Sequence, residues 1–529
     1  MNDFAGTGQL IRLIIRRDRI RLLVWIAALA VTVISTAQAF QGLYPNPADL
    51  AKFAAGVRGN PAFTAMIGPA YNLETIGGIT TWRISGIAAV LASLMAMFHI
   101  SRHTRAEEES GRSDLLQATT VGRYAGPAAA LITILAAQLV LGGVIAAGLI
   151  GLGLATAGSV ALAAAITLAG WAFAGLTLFA AQLVENSRTV TGIAGAALGT
   201  AFILRAAGDV GDGTLSWLSP IGWAQAVRPF ADERWWVLGL PLGFGLFLIG
   251  VAFALARRRD VGAGLVQPRP GRADATRGLS GTLGLAVRLQ RGSVIGWSIG
   301  AMVGGLAIGA VADSVGDLLD SSPELREYFA RLGGGSAIIE DLYLGATMAI
   351  FGLLAAAYGV SGALRLRSEE TGVRAEPILA APVARVRWVA SHLVVVMTGI
   401  VVVLAAGGLG AGLTHAARTN DPGQILRLLG AGLVYAPAAW ILAGLAIALF
   451  GLAPRWVGIA WAALVFCLLI GQLGPILQLD EWVLDASPFG HIPQLPAADL
   501  TATPLLVLTA VAAALIATGL TTFQRRDLG

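Results

Sequence analysis

Nucleotide hydrolysis needs a phosphate-cradling loop, Gly-x-x-x-x-Gly-Lys followed by Ser or Thr. The 529-residue chain has one lysine, Lys52, which precedes Phe53, so it has no loop of that kind. Metal chemistry needs clustered His, Cys or carboxylate ligands. The five histidines, at 99, 103, 392, 415 and 491, are scattered, and the single cysteine, Cys467, lies in an apolar run. His99 and His103 are four apart and can share a helix face, but the sequence matches no carboxylate or cysteine to them. Gly408-Leu409-Gly410-Ala411-Gly412 resembles part of a nucleotide fingerprint. It falls inside an apolar stretch, where small residues serve helix packing. Gly195/Gly199, Gly300/Gly304 and Gly305/Gly309 carry the same spacing. No catalytic residue, metal or cofactor is expected in this chain, and nothing points to nucleic acid.

The informative polar residues form one stretch that occurs twice, Arg105–Arg123 and Arg367–Arg385. Glu108-Glu109-Ser110-Gly111 reads against Glu369-Glu370-Thr371-Gly372. With Val373 taken as a one-residue insertion, Arg112, Asp114, Leu116, Ala118, Val121 and Arg123 then match Arg374, Glu376, Ile378, Ala380, Val383 and Arg385. Topology alone does not require these acids. The apolar turns Leu115–Ala118 and Pro377–Ala380 suit a partner's groove. The duplicated stretch is therefore expected to be the place where a separate motor protein pushes.

The elements that hold these stretches must be membrane helices. The chain is 56% hydrophobic and 13% charged, with mean hydropathy +0.74. A soluble domain carries about 25% charge. Twelve stretches approach the ~20 apolar residues that cross a bilayer. They are Leu22–Phe40, Arg83–Ile100, Pro127–Leu152, Val160–Val184, Val190–Ala206, Trp235–Leu255, Val294–Val311, Leu344–Leu364, Ala390–Leu413, Ile425–Phe450, Trp456–Leu477 and Ala502–Thr521. The fold class is all-α integral membrane. Its expected divisions are a six-span half (1–256), a basic linker (257–284) and a second six-span half (285–529). Because six is even, the halves form a parallel repeat.

The repeat extends further. Arg19 and Trp25 answer to Arg291 and Trp297, Ser219-Pro220-Ile221-Gly222 to Ser487-Pro488-Phe489-Gly490, and Asn46-Pro47 to Ser322-Pro323. Arg258-Arg259-Asp260-Val261-Gly262 answers to Arg525-Arg526-Asp527-Leu528-Gly529. Arginines cluster in the N-terminal flank, both copies of the motif, the linker and the tail. The positive-inside rule makes all of these cytoplasmic. Leu10–Arg21 alternates aliphatics with arginines as an interfacial helix does, and Leu283, Val287 and Arg288 suggest a second one. The first apolar stretch exceeds the ~7–15 residues of a signal-peptide core and is expected to be retained. Basic residues are Arg throughout except for Lys52, a skew that points to a high-GC bacterium and hence to a bacterial plasma membrane.

Proton coupling needs an ionisable group inside the membrane. No Asp or Glu falls within the spans above, and His99, His392 and Arg205 lie near span ends, where snorkelling is expected. A twelve-span proton-coupled secondary drug transporter is therefore the alternative reading.

Two six-span halves, a Glu-Glu-x-Gly motif after the second span of each and a Val-x-Arg end to that loop resemble the ABC type-2 exporter permeases. The similarity is to the actinobacterial polyketide-antibiotic (tetronasin-like) and multidrug export branch. The resemblance implies two copies of a separate ATPase subunit, with ATP and Mg bound there, and coupling helices within the duplicated motif. It implies a connecting helix at the N-terminus and a partly re-entrant Ser-Pro-x-Gly segment. It implies a substrate path between the second and fifth spans of each half, for hydrophobic drugs or antibiotics. Met95, Phe98, Phe202, Phe351, Tyr358 and Phe466 are the candidates lining that path. One expectation follows from Lys52 alone. The purified chain should show no ATP turnover in a phosphate-release assay, and turnover that survives removal of contaminating ATPases would contradict it.

Overall fold

The computed structural model describes all residues except 1–2, 58–63, 65–66, 118–119, 261, 267–273, 275, 280, 321–335, 478–479 and 527–529. Ala118, the Ser322–Pro323 pair, Asp527 and the linker prolines Pro268 and Pro270 fall outside the described residues. Among those described, twelve helical segments are long and apolar enough to cross a bilayer. The chain divides into two compact units, Met1–Pro270 and Gly271–Gly529, so the boundary lies inside the basic linker.

Unit 1 contains α1 (Thr7–Leu43), α2 (Ile76–His103), α3 (Ala125–Gly151), α4 (Thr156–Leu183), α5 (Ser187–Val210) and α6 (Gly239–Ala256). Two of their starts follow ordinary capping chemistry. Thr75 accepts from the Gly78 amide at 3.0 Å to open α2, and Asn186 accepts from the Arg188 amide at 2.9 Å to open α5. Helix α1 packs on α2 and α3, α4 packs on α2, α3 and α6, and α5 lies against α2 and α4.

Unit 2 contains α7 (Thr282–Asp320), α8 (Ser336–Thr371), α9 (Arg385–Thr419), α10 (Ala436–Leu452), α11 (Ile459–Leu477) and α12 (Ala502–Arg525). The same pairs recur six helices later: α7 on α8 and α9, α10 on α8 and α12, and α11 against α8 and α10. The expected tenth span is broken. A helix at Gly423–Leu433 precedes α10, and Pro437 starts the second piece. A proline has no amide to continue the first helix, so the ladder restarts there.

Two expectations need correction. The stretch Leu10–Arg21 is no separate interfacial helix, because α1 runs unbroken from Thr7 to Leu43. Leu10 and Ile14 are buried against Met95, Ile100 and Ala129, so this stretch packs on α2 and α3 within the unit. Likewise α7 starts at Thr282 and absorbs Leu283, Val287 and Arg288. Ser219 and Ser487 also differ. Ser219 caps the helix Pro220–Ala226 by accepting from Gly222 at 3.1 Å, whereas Ser487 opens only a turn.

The cores are rich in alanine and glycine, and large apolar side chains such as Leu23, Phe247 and Leu506 face outward. That inversion suits lipid, where association between helices relies on close backbone approach. Gly305 and Gly309 of α7 meet the backbone of Gly407 and Ala411 of α9, and Gly410 meets that of Met302. The nucleotide-like glycine run is thus a packing surface. Gly195, Gly199 and Gly300 face open space. A side chain at 305 must push α7 off α9. Gly305→Leu should lower unfolding stability in detergent by about 1–3 kcal/mol, whereas Gly195→Leu should leave it unchanged in the same thermal melt.

Candidate functional site

Helix α2 stops because Thr104 leaves helical geometry (φ −119°, ψ −89°) while its hydroxyl donates back to the Ile100 carbonyl at 2.6 Å. A short helix, Arg105–Glu109, follows, then Gly111 at φ +68°, then the helix Arg112–Gln117. Each acid of the short helix faces a different neighbour. Glu107 pairs with Arg17 of α1 at 2.6 Å and lies 3.7 Å from Arg112. Glu109 accepts from the Ser187 amide at 2.7 Å and hydroxyl at 2.6 Å, at the first residue of α5. Glu108 accepts from Arg105 at 2.8 Å and takes a two-pronged contact from Arg259 at 2.8 and 2.9 Å. The Gly262 amide adds a third donor at 3.2 Å.

Arg259 follows α6. It is delivered there because residues 262–266 fold back along the end of α4, with Leu265 and Val266 donating to the Gln182 and Leu183 carbonyls. Arg105 is fully buried and also donates to the Ala181 and Ala263 carbonyls. Arg123 donates to the Ala256 and Arg259 carbonyls. The loop therefore ties the ends of α1, α2, α4, α5 and α6 together.

Unit 2 repeats the fastening. Glu370 accepts from Arg367 at 3.0 Å and pairs with Arg526, which follows α12. Arg526 also donates to the Phe450 carbonyl at 2.7 Å and lies over the Phe450 and Phe523 rings. Glu369 pairs with Arg374 at 2.7 Å and Arg365 at 3.3 Å. Arg385 donates to the Arg526 carbonyl at 2.7 Å, as Arg123 does to that of Arg259.

These partners correct the register of the repeat. Glu108 is equivalent to Glu370, because each is held by the arginine three residues before it and by one that follows the last helix of its unit, and Glu107 is equivalent to Glu369, because Arg112 and Arg374 face them five residues on. Gly111 (φ +68°) is equivalent to Val373 (φ +59°), since both occupy the left-handed turn. The whole motif then runs at a constant offset of 262 positions, and Val373 is no insertion. Gly372 falls opposite Ser110.

The five glutamates are thus engaged within the protein. What the loops expose is different: Arg112, Asp114 and Leu115 in unit 1, and Val373, Arg374, Glu376 and Pro377 in unit 2. Leu115 is 74% exposed. Leu116 lies on the helix Arg112–Gln117. Ile378 is half-buried against the core of unit 2.

The substrate-path candidates do not form one set. Met95, Phe351 and Tyr358 are core residues. Phe351 fills the space against Gly304 and Gly407, and the Tyr358 hydroxyl donates to the Val395 carbonyl at 3.3 Å. Phe98, Phe202 and Phe466 are exposed.

Two shielded carboxylates lie outside the expectations drawn from the sequence. Asp18 is buried in α1, bound to His103 at 2.6 Å. It follows Leu10 and Ile14 at intervals of four, so the helical face that buries them buries it too. Asp209 lies within α5, which extends past the expected end at Ala206. It faces Arg205 at 3.5 Å and accepts from Ser216 at 2.6 Å. Arg205 is 1% exposed, so it is held inside and does not snorkel. His99 and His392 are likewise buried.

A double-mutant cycle tests the fastening. Glu108→Gln and Arg259→Gln, alone and together, should show a coupling of about 1–3 kcal/mol in thermal or denaturant unfolding. Additive losses would mean that the contact fastens nothing.

Known proteins place this architecture. Residues 279–524 match the family described as Multidrug efflux system permease Rv1217c, C-terminal domain. Over all 529 residues, the chain is 41% identical to the multidrug efflux system permease protein Rv1217c of Mycobacterium tuberculosis (strain ATCC 25618 / H37Rv), covering 96% of that protein. With twelve apolar helices and likeness of this extent from end to end, the chain is a multi-pass membrane permease and belongs to the Rv1217c family of multidrug efflux system permeases.

Proposed function

We propose that this chain is the membrane subunit of an ATP-driven exporter of the ABC type-2 class, in the fused-half, tetronasin-like and multidrug branch. Two copies of a separate ATPase subunit, carrying ATP and Mg, dock on the two motif loops. The cargo is hydrophobic or amphipathic drugs. The protein sits in the bacterial plasma membrane with both termini and both loops in the cytoplasm.

One observation carries this reading. The same loop occurs after the second helix of each unit, braced by the same Arg-Glu-Arg contact, with an exposed tip left over. A loop that only joined two helices would need no such bracing. A loop that transmits force from a motor must be stiff behind its contact surface. The docking surface is the exposed tip (Leu115, Asp114, Pro377, Glu376 and their neighbours). The ion-paired Glu108 and Glu370 are positioning residues behind it.

The exporter reading predicts a graded loss. Leu115→Arg and its counterpart Pro377→Arg should each weaken co-purification with the ATPase several-fold, which corresponds to about 1 kcal/mol per contact. The pair should act more severely than either, with membrane insertion intact. ATPase association and drug export at wild-type levels in the double variant would sink the docking surface.

The proton-coupled alternative gains one specific observation, the buried Asp209 and Arg205 of α5. Export from ATP-loaded vesicles separates the two. An uncoupler should leave the rate unchanged if ATP is the driver, and should abolish it while hydrolysis continues if protons are.

A further inference from the structure

Unit 1 carries a cluster that the duplicated framework lacks. Asp18 of α1 meets His99 and His103, one turn apart on α2. One donor atom from each residue lies within 4.8 Å of the other two, and all three residues are buried. The two imidazole rings stand 4.6 Å apart between centroids. His103 Nε2 is 2.6 Å from Asp18 Oδ2. Asp18 Oδ1 and His99 Nε2 are buried with no hydrogen-bond partner. The corresponding positions in unit 2 are Gln290, Ser361 and Arg365, taken from the Arg19/Arg291 and Arg105/Arg367 registers. There Gln290 contacts His392 instead. The trio is therefore no requirement of the six-helix fold.

We propose that Asp18, His99 and His103 form a binding site for a divalent transition metal of the zinc class. Two histidines four apart on one helix face are a standard zinc-binding pair, and a carboxylate from a second helix completes a three-ligand set. The surroundings match what such ligands need. The unpartnered Asp18 Oδ1 and His99 Nε2 supply lone pairs that an ion would satisfy. Arg102 Nε lies 3.4 Å from Asp18 Oδ2 and orients that carboxylate. Three protein ligands leave a fourth position open. It gives on a cavity lined by Arg21, Trp25, Met95, Phe98 and Arg102. The two arginines there favour an anionic fourth ligand, such as hydroxide or a carboxylate. Metal entry releases the proton that His103 and Asp18 share, and both atoms turn to the ion. The ion would then lock α1 to α2 next to the Arg17–Glu107 contact.

The test uses the full chain, purified in detergent without an oligohistidine tag and stripped with a chelator. Zinc is titrated by calorimetry and cobalt by visible absorption. A single saturable zinc site, a tetrahedral cobalt spectrum and a zinc-dependent rise in melting temperature are expected. His99→Gln should weaken zinc binding by at least about 10–100-fold and remove the thermal shift. His392→Gln, a buried histidine of unit 2, should change neither. Asp18→Asn should act like His99→Gln, and if it fails to insert, His99→Gln alone decides. No saturable binding by the wild-type chain, or unchanged binding by His99→Gln, would reduce the trio to a buried Asp–His pair and overturn the site.

Discussion

A carboxylate held between two guanidiniums governs the architecture of each unit. Glu108 and Glu370 are almost wholly shielded from water, so each depends on its arginines for charge compensation. Removing one partner from such a pair is far costlier than the pair is stabilising. The constraint acts on geometry. Arg259 must return to Glu108 after α6, and Arg526 to Glu370 after α12, which closes each six-helix unit by joining its second helix to its last. Lipid offers the outer surfaces no directional contacts, so these polar ends define where the helices stop relative to one another.

Much of this was legible in the sequence. Apolar length located all twelve spans, because a bilayer imposes one scale on every helix. The repeat was legible from Trp25/Trp297 and the motif. Its register was not. Matching Gly111 to Gly372 by residue type required an insertion at Val373, whereas backbone conformation equates Gly111 with Val373. Identity of side chain misled where identity of φ was decisive. Direction was also hidden. A pair of glutamates in a loop gives no sign of facing inward, because the partners Arg259 and Arg526 lie more than 150 positions away. Asp18 was missed for the opposite reason. Its neighbours Arg16, Arg17, Arg19 and Arg21 placed the segment at a membrane interface, although its spacing from Leu10 and Ile14 already marked it as inward.

The units share a frame and differ in what they house. Unit 1 holds Asp18 with two histidines and the Arg205–Asp209 pair, while unit 2 has Gln290 with His392 and the split tenth span. Arg105 reaches the Ala181 carbonyl in unit 1, and Arg526 reaches the Phe450 carbonyl in unit 2. The same helix-end acceptor is served from opposite sides of the fastening. Duplication has conserved the brace and allowed its parts to exchange duties.

Val373 brings out a difference of another kind. A β-branched residue with positive φ holds its backbone in a region that costs about 1–2 kcal/mol to occupy, whereas Gly111 makes the same turn without that cost. The two loops are one shape at two tensions. The turn in unit 1 can be bent in either direction at little expense. The turn in unit 2 is cocked, and any disturbance of the Glu369–Arg374 and Glu370–Arg526 contacts lets it relax. The same disturbance would then meet unequal resistance in two loops of one shape, and a single side chain makes the difference.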